Sequence, residues 1–154
     1  MPVDDWRSII DFAIQRELEA VEFYRRLEAH ARFSDKKGML QDLERMERGH
    51  AEALERLRDQ APGDAAAFPE DEKTQDLHLS DYLVPPPERG ELSYGDILVM
   101  AMKKEETAQR LYIELAGRQR DEELRDLFLR LAAEESRHKR LFEEMYDRDI
   151  LTQG

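Results

Sequence analysis

The sequence predicts an all-α domain: a four-helix bundle with one long crossover, built from a duplicated helical hairpin. Three observations carry that expectation. Apolar residues recur at steps of three and four along four long segments. A stretch rich in proline and glycine separates the second segment from the third. The first pair of segments also returns in the second pair at a constant offset. A length of 154 residues suits one domain, read as a hairpin over 5–60, a crossover over 61–92 and a hairpin over 93–148.

The first helix is expected from Asp5 to about Arg32. Trp6, Ile9, Ile10, Ala13, Ile14, Ala20, Val21, Tyr24, Leu27 and Ala31 form its apolar stripe. Phe33-Ser34-Asp35 breaks the pattern. A second helix follows to about Asp59, with Met39, Leu40, Leu43, Met46, Leu54 and Leu57 on its stripe. So short a connection makes the two helices antiparallel neighbours. Between residues 61 and 92, Pro62, Gly63, Pro69, Pro85, Pro86, Pro87 and Gly90 exclude a continuous helix. A connection of this length fits a crossover running the length of a bundle. Leu77, Leu79, Tyr82 and Leu83 are candidates for a short packed turn within it.

Ser93, with Asp96 three residues on, opens the third helix as a capping box with aspartate in the glutamate role. Its stripe is Ile97, Leu98, Ala101, Met102, Ala108, Leu111, Tyr112 and Leu115, and Gly117 lies near its end. The fourth helix runs from about Asp121, with Leu124, Leu127, Phe128, Leu131, Leu141, Phe142 and Met145.

Composition narrows the chemistry. Hydrophobic residues are 40% and charged residues 39%, which suits helices with one wet face. The net charge of −12 disfavours a sequence-independent grip on nucleic acid or anionic lipid. The absence of cysteine excludes a disulfide framework, a thiolate zinc site, a cysteine nucleophile and any iron–sulfur or rubredoxin-type centre held by this chain. Met1-Pro2-Val3-Asp4-Asp5-Trp6 lacks a signal pattern, and no apolar run approaches the roughly 20 residues that span a bilayer. A cytoplasmic protein that binds neither membrane nor nucleic acid is expected.

The repeat has an offset of 88, placing Ile9 on Ile97, Ala13 on Ala101, Glu17 on Glu105, Ala20 on Ala108 and Tyr24 on Tyr112. Leu27 then meets Leu115, Leu43 meets Leu131, Glu47 meets Glu135 and His50 meets His138. By composition, two Glu and one Tyr recurring together is roughly a one-in-1,500 event before the His pair is counted. Packing alone would preserve the apolar members. The polar members carry the information, because they interrupt apolar stripes. Glu17 lies between Ala13 and Ala20, Glu105 between Ala101 and Ala108, Glu47 and His50 interrupt Leu43–Met46 and Leu54, and Glu135 and His138 interrupt Leu131 and Phe142.

A buried ionised carboxylate costs several kcal/mol unless it is paired or bound to a metal. Glu17, Glu47, Glu105 and Glu135 share their stripe positions with no Lys or Arg. Two neutral histidines do not balance four negative charges, whereas two divalent cations do. Glu-x-x-His places a carboxylate and an imidazole one turn apart on one face, so both reach the same ion. One Glu from each of two helices and one Glu-x-x-His from each of the other two is the di-iron/di-manganese carboxylate constellation. Oxygen and nitrogen donors without sulfur suit iron or manganese, with zinc also accommodated.

Glu17-x-x-Ala20-x-x-Phe23-Tyr24 with Glu47-x-x-His50, and Glu105-x-x-Ala108-x-x-Leu111-Tyr112 with Glu135-x-x-His138, resemble the ferritin-like superfamily, nearest its rubrerythrin-related branch. The resemblance covers nearly the whole chain. It implies a centre of two iron ions that reacts with dioxygen or hydrogen peroxide. It also implies that Glu47 and Glu135 bridge the ions, with Glu17 and His50 at one end and Glu105 and His138 at the other. Tyr24 and Tyr112, two turns beyond Glu17 and Glu105, are positioned to hydrogen-bond a ligand carboxylate. Two departures stand out. Rubrerythrins carry an added rubredoxin domain, for which this chain has no cysteine, so electrons come from a separate donor or are not needed. Rubrerythrins also place an extra Glu where this chain has Ala108, which leaves a symmetric set more like the bacterioferritin ferroxidase centre.

The expected function is therefore a di-metal oxidoreductase that oxidises Fe(II) or reduces peroxide or dioxygen. The alternatives are a metal storage, delivery or sensor protein without sustained turnover, and a bundle with a structural metal. Glu19, Glu22, Glu106 and Glu134 are read as solvated, His30 and His78 as surface or packing residues, and Met46, Met100 and Met102 as core filling. Two equivalent hairpins on a long connector also suggest a homodimer that exchanges hairpins between chains.

Overall fold

Regular spacing of apolar side chains produces four long α-helices in the computed structural model, which describes residues 6–60, 77–85 and 92–151. They are α1 (Trp6–Leu27), α2 (Lys37–Gln60), α3 (Tyr94–Gly117) and α4 (Glu122–Asp149). Short 3₁₀ turns lie at Ala31–Phe33 and Leu79–Tyr82, and no strand occurs among the described residues. The fold class is all-α, as the periodicity requires. Two units divide the chain, Met1–Leu79 and Ser80–Gly154. Each contains one helical hairpin. The crossover expected over 61–92 lies outside the described residues except for 77–85 and 92.

In the first unit, α1 buries Ile9, Ile10, Ala13, Tyr24 and Leu27 on one face, and α2 opposes them with Leu40, Leu43, Ala51 and Leu54. Full burial of each large apolar side chain contributes about 1.5–3 kcal/mol. The first helix stops at Leu27, earlier than the expected Arg32. Glu28, Ala29 and His30 each donate a backbone N–H three residues back, to Arg25, Arg26 and Leu27, which tightens the last turn and ends it. His30 then caps the 3₁₀ turn, its Nδ1 accepting from the Arg32 N–H at 3.2 Å. That turn swings Phe33 fully into the core, so part of the expected break is an anchor, while Ala31 is exposed rather than on the stripe. At the open end, Arg58 Nη1 donates to Asp11 Oδ1 at 2.8 Å and ties α2 back to α1.

In the second unit, the capping box forms as expected. Ser93 Oγ accepts from the Asp96 N–H at 3.0 Å, and Asp96 Oδ2 accepts from the Ser93 N–H at 3.3 Å. Asp121 caps α4 by accepting from the Glu123 N–H at 2.8 Å. Leu98, Leu115, Phe128, Leu131 and Phe142 are fully buried between α3 and α4. Tyr94 donates its hydroxyl to Asp149 Oδ2 at 2.6 Å, joining the start of α3 to the end of α4. The expected packed turn falls at Leu79–Tyr82, with Leu77 buried and Leu83 exposed. Among the described residues, no helix is long and apolar enough to cross a membrane.

Candidate metal centre

The buried face of α1 passes from Ala13 to Ala20 through Glu17, which is as buried as its apolar neighbours at 2% exposure. On α2 the same interruption occurs twice, one turn apart, at Glu47 and His50, which are 1% and 4% exposed. Helical periodicity alone brings these three side chains together inside the first hairpin. His50 Nδ1 lies 3.3 Å from Glu17 Oε2 and 3.4 Å from Glu47 Oε1. One donor atom from each of the three lies within 4.8 Å of the other two.

The second hairpin repeats the arrangement. Glu105 on α3 and Glu135 and His138 on α4 are all buried, and His138 Nδ1 lies 3.4 Å from Glu105 Oε2. Their donor atoms also fall within 4.8 Å of one another. The helical register is thereby fixed. Glu106 and Glu134, one residue from ligand positions, point outward, where Glu106 pairs with Lys139 Nζ at 3.0 Å and Glu134 approaches Arg130 at 3.8 Å.

Electrostatics explain why these groups tolerate burial. Burial depresses the basicity of the His50 imidazole, but hydrogen bonds to Glu17 and Glu47, and their charges, outweigh it and push the pKa up to about 11. The imidazolium then offsets one of the two carboxylate charges in its hairpin. A net negative charge remains in a buried place. A divalent cation replacing that proton would compensate the pair more completely. Two carboxylate oxygens and one imidazole nitrogen are a donor set for iron, manganese or zinc, and three protein donors leave coordination positions open. The residues present fit a metal ion in each hairpin.

Tyr24 and Tyr112 lie fully buried two turns beyond Glu17 and Glu105. Tyr24 meets Phe23 edge-on at 5.4 Å, and Tyr112 stacks on Phe128 at 6.3 Å. His78 is exposed, and His30 is half-exposed with its ring edge against Phe33 at 5.8 Å. Met46 departs from expectation. It is 37% exposed rather than core filling, because Glu47 beside it takes the inward position. Met100 and Met102 are half-buried.

One residue beyond the ligands the hairpins differ. The first has Leu18 and fully buried Ala51, whereas the second has the Glu106–Lys139 ion pair. The hydrogen bond from Lys139 holds the Glu106 carboxyl below its usual range and raises the Lys139 ammonium in turn. The offset of 88 exposes this asymmetry in the sequence once both hairpins are aligned.

Comparison with known proteins gives one family. A family model described as Rubrerythrin matches residues 96–150, which span most of α3 and all of α4 and include Glu105, Glu135 and His138. No curated protein and no solved structure matches the chain. Over residues 96–150, the rubrerythrin resemblance read from the motifs is borne out.

Proposed function

We propose that this chain is a di-iron carboxylate oxidoreductase whose metal ligands are Glu17, Glu47 and His50 in the first hairpin and Glu105, Glu135 and His138 in the second. The observation that carries the proposal is a buried triad of two carboxylates and one imidazole, formed twice from the same motif at the same spacing. The rubrerythrin match to the second hairpin supports the choice of iron.

Glu17, Glu47 and His50 would hold one ion, and Glu105, Glu135 and His138 the other. A pair of ferrous ions supplies two electrons to dioxygen or hydrogen peroxide. The chain's own residues set the conditions for that exchange. The four carboxylates would neutralise cationic charge, and the buried apolar side chains of the hairpins would exclude bulk water. The Tyr24 and Tyr112 hydroxyls would donate to ligand carboxylates and fix their orientation. These 154 residues hold no cysteine for an iron–sulfur centre, so repeated turnover would draw electrons from a separate donor, whereas oxidation of Fe(II) itself would need none. We place the working protein in the cytoplasm, as a homodimer with hairpins exchanged through the connector. A monomeric mass in solution at micromolar concentration would overturn the dimer.

The test is anaerobic loading with Fe(II), followed by dioxygen or peroxide, with optical absorption and oxidant consumption as readouts. Oxidation of two ions per chain, with repeated turnover once a reductant is supplied, supports the oxidoreductase. Colour that forms once and is not restored by any donor points to storage or delivery. Zinc loading with no reaction of iron points to a structural metal.

A further inference from the structure

Peroxide oxidises thioethers as well as metals, and a methionine side chain reacts where the oxidant can reach it. The chain holds six methionines. Among the five in the described residues, Met46 is the most exposed at 37%, whereas Met145 is 3% exposed and Met39, Met100 and Met102 are half-buried. Met46 also stands one residue from Glu47, on the helix that carries the first Glu-x-x-His.

The duplication supplies an internal control. At an offset of 88, Met46 corresponds to Glu134. The Glu134 side chain is 20% exposed and lies 3.8 Å from Arg130 Nε. Beside it, Glu105, Glu135 and His138 are still buried and still form their triad. The hairpin geometry therefore admits a polar oxygen one residue before the ligand carboxylate. Packing does not demand a methionine at that position, and a polar group there does not dismantle the triad.

We propose that Met46 is a reversible oxidation site: its thioether takes up hydrogen peroxide beside the first hairpin's ligands and becomes a sulfoxide that leaves those ligands in place. The sulfur gives an electron pair to one peroxide oxygen. An S–O bond forms and the O–O bond breaks. The departing hydroxide takes the proton from the sulfur-bound oxygen and leaves as water. Sulfur is oxidised by two electrons, and the peroxide is reduced by the same two. Position 46 lies about 100° around α2 from the inward-facing Glu47, so the new polar group forms away from the triad. A methionine sulfoxide reductase, with a thiol as electron source, returns the residue to its thioether. The proposal rests on the proposed function only for where the chain meets peroxide, and added peroxide tests it without iron.

The test treats the full, chelator-stripped chain with excess hydrogen peroxide and follows each methionine by peptide mass spectrometry. Met46 should convert at least about threefold faster than Met39, Met100 or Met102, and at least about tenfold faster than Met145. The chain oxidised at Met46 and then loaded with zinc, which is redox-inert, should hold as much metal as the unoxidised chain. Met46→Glu, which copies the second hairpin, should hold as much again. The two methionine sulfoxide reductases together should remove the added oxygen. Three results would each overturn the proposal: another of the five methionines converting as fast as Met46, zinc lost on oxidation of Met46, or a sulfoxide that the reductases leave unchanged. A chain that binds no metal at all overturns the proposed centre instead, and the peroxide mapping, which needs no variant, still decides Met46.

Discussion

Loading the first hairpin with a divalent cation at neutral pH should expel one proton from His50. A ligating imidazole must be neutral. Burial works against the imidazolium, but Glu17 and Glu47 on either side of Nδ1 raise its pKa to about 11. At pH 7 the proton is therefore held by roughly four pH units, about 5 kcal/mol, which the metal must overcome. Apparent affinity should rise about tenfold per pH unit while that proton is being displaced. In the metal-free chain the same proton stabilises the fold. That contribution is complete below the ordinary 6.5 and is lost as pH rises through about 11. The assay adds zinc to the chelator-stripped chain in weak buffer with a pH indicator, and measures affinity by chelator competition at pH 6, 7 and 8. The wild type should release one more proton per chain than His50→Ala. Equal proton counts, or an affinity that ignores pH, would refute the reasoning.

Other perturbations test the scaffold. Leu54→Ala removes a fully buried side chain from α2 and should cost about 2–5 kcal/mol in denaturant unfolding. Ser93→Ala deletes one half of the capping box of α3 and should cost about 1 kcal/mol, seen as a lower unfolding midpoint at unchanged m-value. Tyr94→Phe loses the 2.6 Å hydrogen bond to Asp149 and should cost about 1.5–3 kcal/mol, with faster amide exchange at the end of α4.

Much of this architecture was legible because helices turn sequence spacing into spatial proximity. Glu47 and His50 three residues apart must share a face, and Glu17 among alanines and isoleucines must point where they point. What resisted reading lies where side chains interact without periodicity. The end of α1 depends on backbone hydrogen bonds from Glu28, Ala29 and His30, which composition does not announce. Phe33 resembled part of a break because its burial follows from a single 3₁₀ turn capped by a histidine. Met46 and Glu47 are neighbours that the apolar spacing places on one stripe, but only one of two adjacent helical positions can face fully inward, and Glu47 takes it. Gln119 is buried in the turn before α4, its amide donating to the Leu115 carbonyl at 3.0 Å, and nothing in its local pattern marks it.

The most direct measurement is the metal content of the purified chain and of single-ligand variants, read by elemental analysis together with anomalous scattering. Two ions per chain are predicted, with loss of bound metal in Glu17→Ala and in Glu105→Ala. A chain that binds no iron, manganese or zinc, or one that keeps full occupancy after both substitutions, would contradict the account.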